Sequence, residues 1–252
     1  MRLFGLIGYP LVQSFSRKFF LEKFAREGLT DCGFENFSIP AITDVEEVLH
    51  RNPALEGLAV TIPYKQQVIP YLHDSSGIPE GLNACNCIRI RDGKLYGFNT
   101  DYIGFEKSFV PLLRPHHKKA LVLGNGGATE AVLFVLRSRG IAYNIVSRQL
   151  HGQSSLTYDE LNDDIMKEHT VVINTTPLGM YPDTESFPAI PYHAATPAHY
   201  FYDLVYNPVK TLFLQKAEEQ GAVICNGADM LVLQAEENWR IWNSRSVIFR
   251  SK

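Results

Sequence analysis

The sequence predicts an α/β protein made of two α/β domains with a cleft between them. Short apolar or β-branched runs alternate with helix-length segments from one end of the chain to the other. That alternation is typical of parallel sheets covered by helices. A chain of 252 residues is long enough for two modest domains.

Five strands and three helices are predicted in the first hundred residues. The strands are Leu3–Ile7, Phe34–Ile39, Leu58–Val60, Ala84–Arg89 and Leu95–Phe98. The helices are Ser16–Glu27, Val45–His50 and Lys65–Leu72. Asp92-Gly93 separates the last two strands, and this dipeptide favours a tight hairpin turn. We therefore expect those two strands to pair across it.

A second series of strands begins after residue 119. A helix at Tyr102–Leu113 is followed by residues 114–119, which lose all periodicity and predict a hinge. The later strands are Ala120–Leu123, Tyr143–Val146, Val171–Asn174, Tyr200–Asp203 and Val223–Cys225. We expect residues 1–104 to form the first domain, joined by a C-terminal helix at 230–252, and residues 105–229 to form the second.

Charge and hydropathy argue against two classes of partner. The formal net charge is −3, and the lysines and arginines are scattered, so no nucleic-acid partner is predicted. No apolar run approaches the roughly 20 residues that span a bilayer, so no membrane partner is predicted either. The opening MRLFGLIGYP resembles a strand and a turn more than a signal peptide. These features predict a cytoplasmic protein.

The cysteines and histidines do not predict a metal site. Cys32, Cys85, Cys87 and Cys225 are too few for a disulfide scaffold, and Cys85-Asn86-Cys87 lacks the spacing of a zinc knuckle. The eight histidines show no HExxH or similar pattern. We expect reduced, packed thiols and no bound metal.

A glycine-rich turn joins the strand at Ala120–Leu123 to a helix. Gly124 permits a tight turn, and Gly126 lets the backbone approach a pyrophosphate. The N–H groups at the start of the helix offer hydrogen bonds to that anion. Thr129 occupies the place of the third glycine of the usual fingerprint, so a purely structural turn is the alternative. The pattern favours a Rossmann-like, dinucleotide-binding second domain.

The end of the next strand indicates which dinucleotide is bound. An acidic residue there would hold the adenosine ribose, but this chain has Ser147 and Arg148. Arg148 can donate a charge-assisted fork to a 2′-phosphate. NADP is therefore favoured over NAD, with a solvated surface arginine as the alternative.

Polar residues follow several strand ends of the first domain. Ser14 and Ser16 precede a helix, where they can cap it or bind a carboxylate. Thr61 and Lys65 surround a turn after a buried strand. Asn86 lies within an apolar run, where its amide needs a partner. We expect these side chains to converge on one cleft.

Asp101 directly precedes the predicted helix at Tyr102–Leu113, so it can act as its N-cap. The alternative is chemical. An ammonium from Lys65 and a carboxylate from Asp101, facing a nicotinamide held by the other domain, suit reduction of a carbonyl. The pair could supply the proton that the new alkoxide requires.

The chain resembles the shikimate dehydrogenase family over nearly its whole length. Each matching segment is weak alone, but eight in the right order are specific. The segments are GYPLVQSFS, VTIPYK, NACN, GFNTD, GNGGATEA, NTTPLGM, DLVYNPVKT and NGADMLVLQA.

The resemblance implies reversible, NADPH-dependent reduction of 3-dehydroshikimate to shikimate, a step of aromatic amino acid biosynthesis. It implies Lys65 and Asp101 as the catalytic pair. It implies a substrate pocket lined by Ser14, Ser16, Thr61, Asn86, Tyr206 and Gln234. Together with the glycine turn, the expected cofactor-binding residues are Gly124, Gly126, Gly127, Ala128, Ser147, Arg148, Thr175, Thr176, Gly227 and Met230.

The chain departs from the family pattern near both expected pockets. The unusual residues are Arg17, Phe19, Phe20, Ala59, Cys87, Ser147 and the stretch Leu150-His151-Gly152. Those after the serines predict a substrate mouth of different shape. The stretch after residue 149 lacks a second basic residue that the family often has, which predicts a weaker preference for NADP.

Two other functions compete with this assignment. A quinate or quinate/shikimate dehydrogenase would use the same fold and pair, often with NAD, and Arg148 argues mildly against it. A catalytically silent ligand-binding protein would reuse the fold, but it would not need both Lys65 and Asp101. For the assembly we expect a monomer or a homodimer.

Overall fold

The structure is a computed structural model that describes residues 1–11, 14–150 and 152–244. Val12, Gln13, His151 and the end of the predicted 230–252 helix lie outside the described residues. The chain divides into two units, Met1–Ile103 with Leu231–Lys252, and Gly104–Met230. Each unit is built around a sheet of six strands.

The first sheet is mixed. Its strands are β1 (Arg2–Gly8), β2 (Cys32–Ser38), β3 (Leu55–Val60), β4 (Asp74–Gly77), β5 (Cys87–Arg91) and β6 (Lys94–Phe98), in the order β2-β1-β3-β5-β6-β4. β1 runs parallel to β2 and β3, whereas β5 is antiparallel to β3 and β6. The expected parallel pairing is therefore confirmed for β1 with β2 and β3 but does not extend to β5 and β6.

The hairpin at Asp92-Gly93 explains that difference. The two residues have φ values of 49° and 70°, the left-handed conformation that a tight hairpin turn requires. Arg91 pairs with Lys94 directly across the turn. The predicted pairing is confirmed, and so tight a connection can join only antiparallel neighbours.

Four helices start in the first unit, namely α1 (Phe15–Glu27), α2 (Val45–Arg51), α3 (Tyr64–Gln67) and α4 (Asp101–Phe109). α3 is shorter than predicted, because the chain continues as a 3₁₀ turn at Ile69–Tyr71. Pro70 within that turn has no N–H to donate and so cannot extend the α-helix.

The second sheet is entirely parallel. Its strands are β7 (Lys119–Leu123), β8 (Ala142–Ser147), β9 (Leu156–Thr157), β10 (Val171–Asn174), β11 (Tyr200–Asp203) and β12 (Val223–Asn226). They lie in the order β12-β11-β10-β7-β8-β9, with every neighbouring pair parallel. In the unit's own numbering this is the 3-2-1-4-5-6 order of a Rossmann fold.

The remaining helices are α5 (Thr129–Ser138), α6 (Asp163–Glu168), α7 (Leu212–Glu218) and α8 (Ala228–Asn243). The boundaries between the units fall inside α4 and α8. In the described part of the chain, no helix is long and apolar enough to cross a membrane.

Residues 114–119 do not form the boundary between the units, so the predicted hinge there is wrong. They lie inside the second unit, and His117 is buried. Ring nitrogens of His116 and His117 lie 3.0 and 3.1 Å from the Ala198 carbonyl oxygen. These contacts fix the segment to the turn before β11.

Two apolar clusters pack on opposite faces of the first sheet. Phe4 and Leu6 of β1 belong to one cluster and Ile7 to the other, as expected for side chains that alternate along a strand. Phe20 is fully buried and stacks on Phe34, with ring centroids 4.9 Å apart. The expectation that Phe20 reshapes the substrate mouth is wrong, because its ring fills the core.

Trp242 anchors α8 on this sheet. Its indole is fully buried, and Nε1 donates to the Ile88 carbonyl oxygen at 3.0 Å. Arg89 of β5 donates to the Ser244 carbonyl oxygen at 3.2 Å. Arg91 donates to the Trp242 carbonyl oxygen at 3.3 Å. The two guanidinium groups thus satisfy carbonyls at the helix C-terminus and complement its dipole.

Candidate active site

In the first sheet, the strand order reverses at β1. β2 and β3 flank it in parallel, so the chain leaves β1 and β3 at the same edge. Ligands of open α/β sheets bind at such points. The loops that begin there carry Ser14, Thr61 and Lys65.

Ser14 is the N-cap of α1, so the capping alternative is confirmed for this residue. Its Oγ accepts a hydrogen bond from the Arg17 amide at 3.1 Å. The hydroxyl donates to Asn36 Oδ1 at 2.9 Å. Ser16 is half-buried in the first turn of α1, and Thr61 is half-buried after β3.

Lys65 and Asp101 form an ion pair. Lys65 Nζ lies 2.7 Å from Asp101 Oδ2, and the two side chains are 17% and 13% exposed. The backbone carbonyl of Lys65 accepts a hydrogen bond from the Cys85 amide at 2.7 Å, which fixes α3 against the segment that leads to Asn86. The pair is thus held on two elements and largely shielded from water.

Asn86 holds the other oxygen of the Asp101 carboxylate. Only 3% of Asn86 is exposed, and Nδ2 donates to Asp101 Oδ1 at 2.9 Å. The same nitrogen lies 2.9 Å from Thr100 Oγ1, and Oδ1 accepts from the Thr100 amide at 2.6 Å. The partner that this amide needs is therefore the catalytic candidate itself.

Asp101 is not a helix cap. The Tyr102 amide at the start of α4 donates to Asn99 Oδ1 at 3.2 Å. Asn99 Nδ2 donates to the Ala84 carbonyl oxygen at 2.8 Å, which directs its oxygen toward the helix. The capping alternative for Asp101 is wrong, because Asn99 fills that role and leaves the carboxylate to Lys65 and Asn86.

Gln234 of α8 completes the group. It is 7% exposed, and its Oε1 lies 3.5 Å from Asn86 Nδ2. The structure thus brings four of the predicted residues together. Sequence reasoning missed two others, Thr100 and Asn238. Asn238 follows Gln234 by one helical turn on the same face, and this was the available signal.

The glycine turn of the second unit has the geometry of an anion cradle. Gly124 has φ +108°, and a Cβ there would lie 2.8 Å from Thr175 Oγ1. Beyond it, Gly126 and Gly127 face open space. Ala128, at the N-cap of α5, makes no side-chain cap. The helix N-terminus is therefore left available to a phosphate.

Thr129 replaces a glycine without disturbing this turn. Its Oγ1 accepts from the Gly126 amide at 3.1 Å and lies 2.9 Å from Thr175 Oγ1. Thr175 Oγ1 also lies 2.8 Å from the Leu123 carbonyl oxygen. The extra hydroxyl links the loops that follow β7 and β10, the two strands at which this sheet reverses its order.

Arg148 is exposed at the end of β8. Burial raises the pKa of Tyr158, and the positive charge of Arg148 partly offsets that effect, so the guanidinium lies near this phenol. Ser147 is buried, and its hydroxyl donates to the Gln149 carbonyl oxygen at 2.5 Å. Arg148 thus faces solvent as the charged side chain of this turn and can meet a ligand.

The other cofactor candidates, and the substrate candidate Tyr206, also follow the carboxyl ends of parallel strands. Thr176 Oγ1 donates to Asn174 Oδ1 at 2.6 Å. Tyr206 is 37% exposed after β11, and Met230 is buried in α8. At Gly227, a Cβ would collide with the Leu204 carbonyl oxygen, so a side chain is excluded there.

Asp203 is a buried carboxyl behind these loops. It accepts hydrogen bonds from Asn174 Nδ2, the Val205 amide and Thr211 Oγ1, at 2.9, 3.0 and 2.5 Å. Burial nevertheless raises the pKa of Asp203 to about 6. Because the unfolded chain loses this proton at lower pH, the contribution of Asp203 to stability is fully present below about pH 4 and is lost as the pH rises through about 6.

We expect Asp203→Asn to remove this pH dependence. Between about pH 5 and pH 7, the stability of the variant relative to the wild type should rise by about 1 kcal/mol. Urea unfolding of both proteins at each pH measures the difference. A difference that stays constant over this range would show that Asp203 titrates as it does in the unfolded chain.

The described residues contain no group of three or more His, Cys, Asp or Glu side chains that could hold a metal ion. The four cysteines are free thiols, and Cys85 and Cys87 are fully buried. Burial raises the pKa of Cys85 to about 12, so this thiol stays protonated.

Together, these features define a two-unit α/β protein with a Rossmann-like second unit and a largely shielded lysine–carboxylate pair in the first. Residues 6–88 match a family model described as the shikimate dehydrogenase substrate binding domain. The NADP(+) shikimate dehydrogenase of Methanococcus maripaludis strain C6 is 34% identical, over 97% of this chain and 92% of its own length. The chain belongs to the shikimate dehydrogenase family.

Solved structures agree with this membership. A chorismate mutase/shikimate 5-dehydrogenase fusion protein from Clostridium acetobutylicum superposes with a TM-score of 0.83 at 34% identity, over 96% of this chain and 91% of that one. Shikimate 5-dehydrogenase from Thermus thermophilus, in complex with NADP(H) and shikimate, gives 0.83 at 27% identity, over 96% and 94%.

Proposed function

We propose that this chain is a shikimate dehydrogenase that interconverts 3-dehydroshikimate and shikimate with NADP(H). The observation that carries the proposal is the shielded Lys65–Asp101 pair at 2.7 Å, on the unit that matches the family's substrate binding domain. The Thermus thermophilus relative was solved with both shikimate and NADP(H). The reaction belongs to aromatic amino acid biosynthesis.

The pair has the chemistry for proton transfer to a reduced carbonyl. As a ring carbonyl is reduced, its oxygen gains negative charge, which the Lys65 ammonium can stabilise and protonate. Asp101 Oδ2 holds the ammonium in place. Asn86 holds the other carboxylate oxygen, so the pair is oriented before substrate arrives. In the reverse direction the lysine takes up the hydroxyl proton.

NADP, when bound, accepts or supplies the hydride. The second unit fits it, since Gly126 and Gly127 leave open space at the N-terminus of α5. We assign the pyrophosphate to this turn, including Gly124 and Ala128. Arg148 is exposed on the following strand end and is assigned the 2′-phosphate.

These assignments give the two parts of the chain different main ligands. Residues 1–104 with the C-terminal helix supply the catalytic pair and most substrate contacts, whereas residues 105–229 bind NADP and add Tyr206 to the substrate contacts. Substrate contacts are assigned to Ser14, Ser16, Thr61, Asn86, Tyr206 and Gln234. The remaining cofactor contacts are assigned to Ser147, Thr175, Thr176, Gly227 and Met230. The proposal includes a cytoplasmic location, where NADP is available, and a monomer or homodimer as the active form.

The proposal predicts a specific pattern of turnover. The specificity constant kcat/KM for shikimate with NADP should far exceed that for quinate, or for either substrate with NAD. The preference for shikimate rests on the serine, threonine and glutamine side chains assigned to the substrate, and the preference for NADP rests on Arg148 at the exposed end of β8. Absorbance of the reduced nicotinamide, followed with each of the four combinations, measures the pattern. Equal or better turnover of quinate with NAD would favour a quinate dehydrogenase, and absence of turnover in all four would favour a silent binding protein.

A further inference from the structure

A buried hydroxyl and a buried amide lie behind the Lys65–Asp101 pair. Thr100 is fully buried and Asn238 of α8 is 1% exposed. Thr100 Oγ1 donates to Asn238 Oδ1 at 2.7 Å, the usual length of a good O–H···O hydrogen bond. The contact spans 138 residues of sequence and joins α8 to the loop before α4.

The orientation of the Asn86 amide is fixed by Thr100. The Thr100 backbone N–H can only donate, and it lies 2.6 Å from Asn86 Oδ1. The other end of the amide is therefore Nδ2, whose two hydrogens lie toward Asp101 Oδ1 and Thr100 Oγ1, each at 2.9 Å. Thr100 Oγ1 is the near acceptor of the second hydrogen, because Gln234 Oε1 lies 3.5 Å from Nδ2.

Asn238 determines whether Thr100 can be that acceptor. A threonine hydroxyl has a single proton. At Thr100 this proton has two possible acceptors, Asn238 Oδ1 at 2.7 Å and Asn86 Oδ1 at 3.3 Å. When the Thr100 proton is donated to Asn238 Oδ1, a lone pair of the Thr100 hydroxyl faces Asn86 Nδ2. Asn238 Nδ2 lies 3.5 Å from Gln234 Oε1, which keeps the Asn238 oxygen directed at Thr100.

We propose that Asn238 is a positioning residue for the reaction, acting through Thr100 and Asn86 on the Asp101 carboxylate. Its oxygen directs the Thr100 proton away from Asn86, so that Asn86 keeps one hydrogen bond on Asp101 and leaves Oδ2 to Lys65. This inference rests on the proposed function for its kinetic consequence, but the hydrogen-bond chain itself is independent of it.

Loss of the Asn238 oxygen changes the direction in which the Thr100 hydroxyl donates its proton. The proton then turns to Asn86 Oδ1 and the lone pairs of the hydroxyl point away from Asn86 Nδ2, which leaves the second Asn86 hydrogen only the longer contact with Gln234 Oε1 at 3.5 Å. A buried donor that exchanges a short hydrogen bond for a long one loses stability, so the Asn86 amide shifts from this orientation and holds Asp101 less firmly. The ammonium and the carboxylate are then no longer held in register.

The test is a double-mutant cycle of Asn238→Leu and Thr100→Val, assayed for shikimate oxidation with NADP. Each single variant should lower kcat about tenfold, the scale of one buried hydrogen bond, while the KM for NADP stays unchanged. Because Asn238 acts through Thr100, the double variant should be within about twofold of Thr100→Val. Thr100→Ser keeps the hydroxyl and should retain wild-type kcat.

Asn243→Leu is the matched control. Asn243 is on the same helix and accepts a hydrogen bond from Arg2 at 2.9 Å, but it lies on the exposed surface. Its replacement should lower the melting temperature slightly and leave kcat unchanged. If Asn238→Leu does not fold, Asn238→Ala removes the same oxygen without adding bulk, and the same cycle applies.

A measurement without turnover separates this inference from the proposed function. In the wild type, the side-chain amide protons of Asn86 should exchange slowly with solvent by NMR, and in Asn238→Leu or Asn238→Ala they should exchange faster. Asn243→Leu should match the wild type. An inactive wild type would overturn the proposed function alone, leaving the exchange result to decide the hydrogen-bond chain. Unchanged exchange, unchanged kcat or additive losses in the double variant would each overturn the role of Asn238.

Discussion

Lys65→Ala is expected to lower the turnover of shikimate by roughly a hundredfold or more. The ammonium is the group that stabilises the developing oxyanion and exchanges its proton, and alanine leaves nothing in its place. The fold and the affinity for NADP should stay nearly intact, because the pair lies in the first unit and the glycine turn in the second. Steady-state kinetics and a binding titration with NADP measure both quantities.

The control for this variant is Lys119→Ala. Lys119 also forms a 2.7 Å ion pair, with Glu168, but both side chains are exposed. Such pairs contribute little, so its removal should leave kcat unchanged. A loss at Lys65 that appears only in KM would make Lys65 a substrate anchor, and wild-type turnover at saturation would rule out the proposed pair.

Asp101→Asn tests the other half of the pair. Because Asn99 caps α4 at 3.2 Å from the Tyr102 amide, replacement of Asp101 removes no helix cap. Loss of turnover in this variant can therefore be attributed to the charge that holds Lys65.

Arg148→Ala is expected to weaken NADP binding by about 1–3 kcal/mol, or roughly 5-fold to 150-fold. NAD binding should change much less, because NAD has no 2′-phosphate to lose its charge-assisted partner. Titration of the purified protein with each nucleotide measures the two affinities.

Arg139→Ala is the matched control for Arg148. Arg139 is another arginine of the second unit, and its guanidinium pairs with Glu106 at 2.6 Å. Its removal should leave both nucleotide affinities unchanged. If Arg148→Ala weakens NAD and NADP equally, the side chain contributes through stacking or folding and does not select the cofactor.

Much of the fold could be predicted from local patterns. The apolar run at β7 predicted that strand, and the positive φ preference of Asp92-Gly93 predicted the hairpin. Both are properties of neighbouring residues. β9 was missed because two residues are too short to show a period. The hinge was misplaced because the contacts of His116 and His117 with Ala198 join residues more than 80 positions apart.

In the candidate site, too, local features could be predicted and long-range contacts could not. The Lys65–Asp101 pair was predictable because both residues follow strand ends of one domain. The need of the Asn86 amide for a partner was predictable from its apolar run, but the identity of that partner was not. Thr100 and Asn238 were missed, because a hydroxyl beside a helix start and an amide in a mixed helix are common on surfaces. Only the packing of α8 on the first sheet buries them together.

The most direct test of the proposed reaction uses shikimate that carries deuterium on the carbon that becomes the ring carbonyl. The purified chain is incubated with this substrate and NADP, and the reduced nucleotide is analysed by mass spectrometry. We predict that the nucleotide gains the deuterium, with one label for each molecule of 3-dehydroshikimate formed. Reduced nucleotide without the label, or no reduced nucleotide at all, would contradict direct hydride transfer from shikimate.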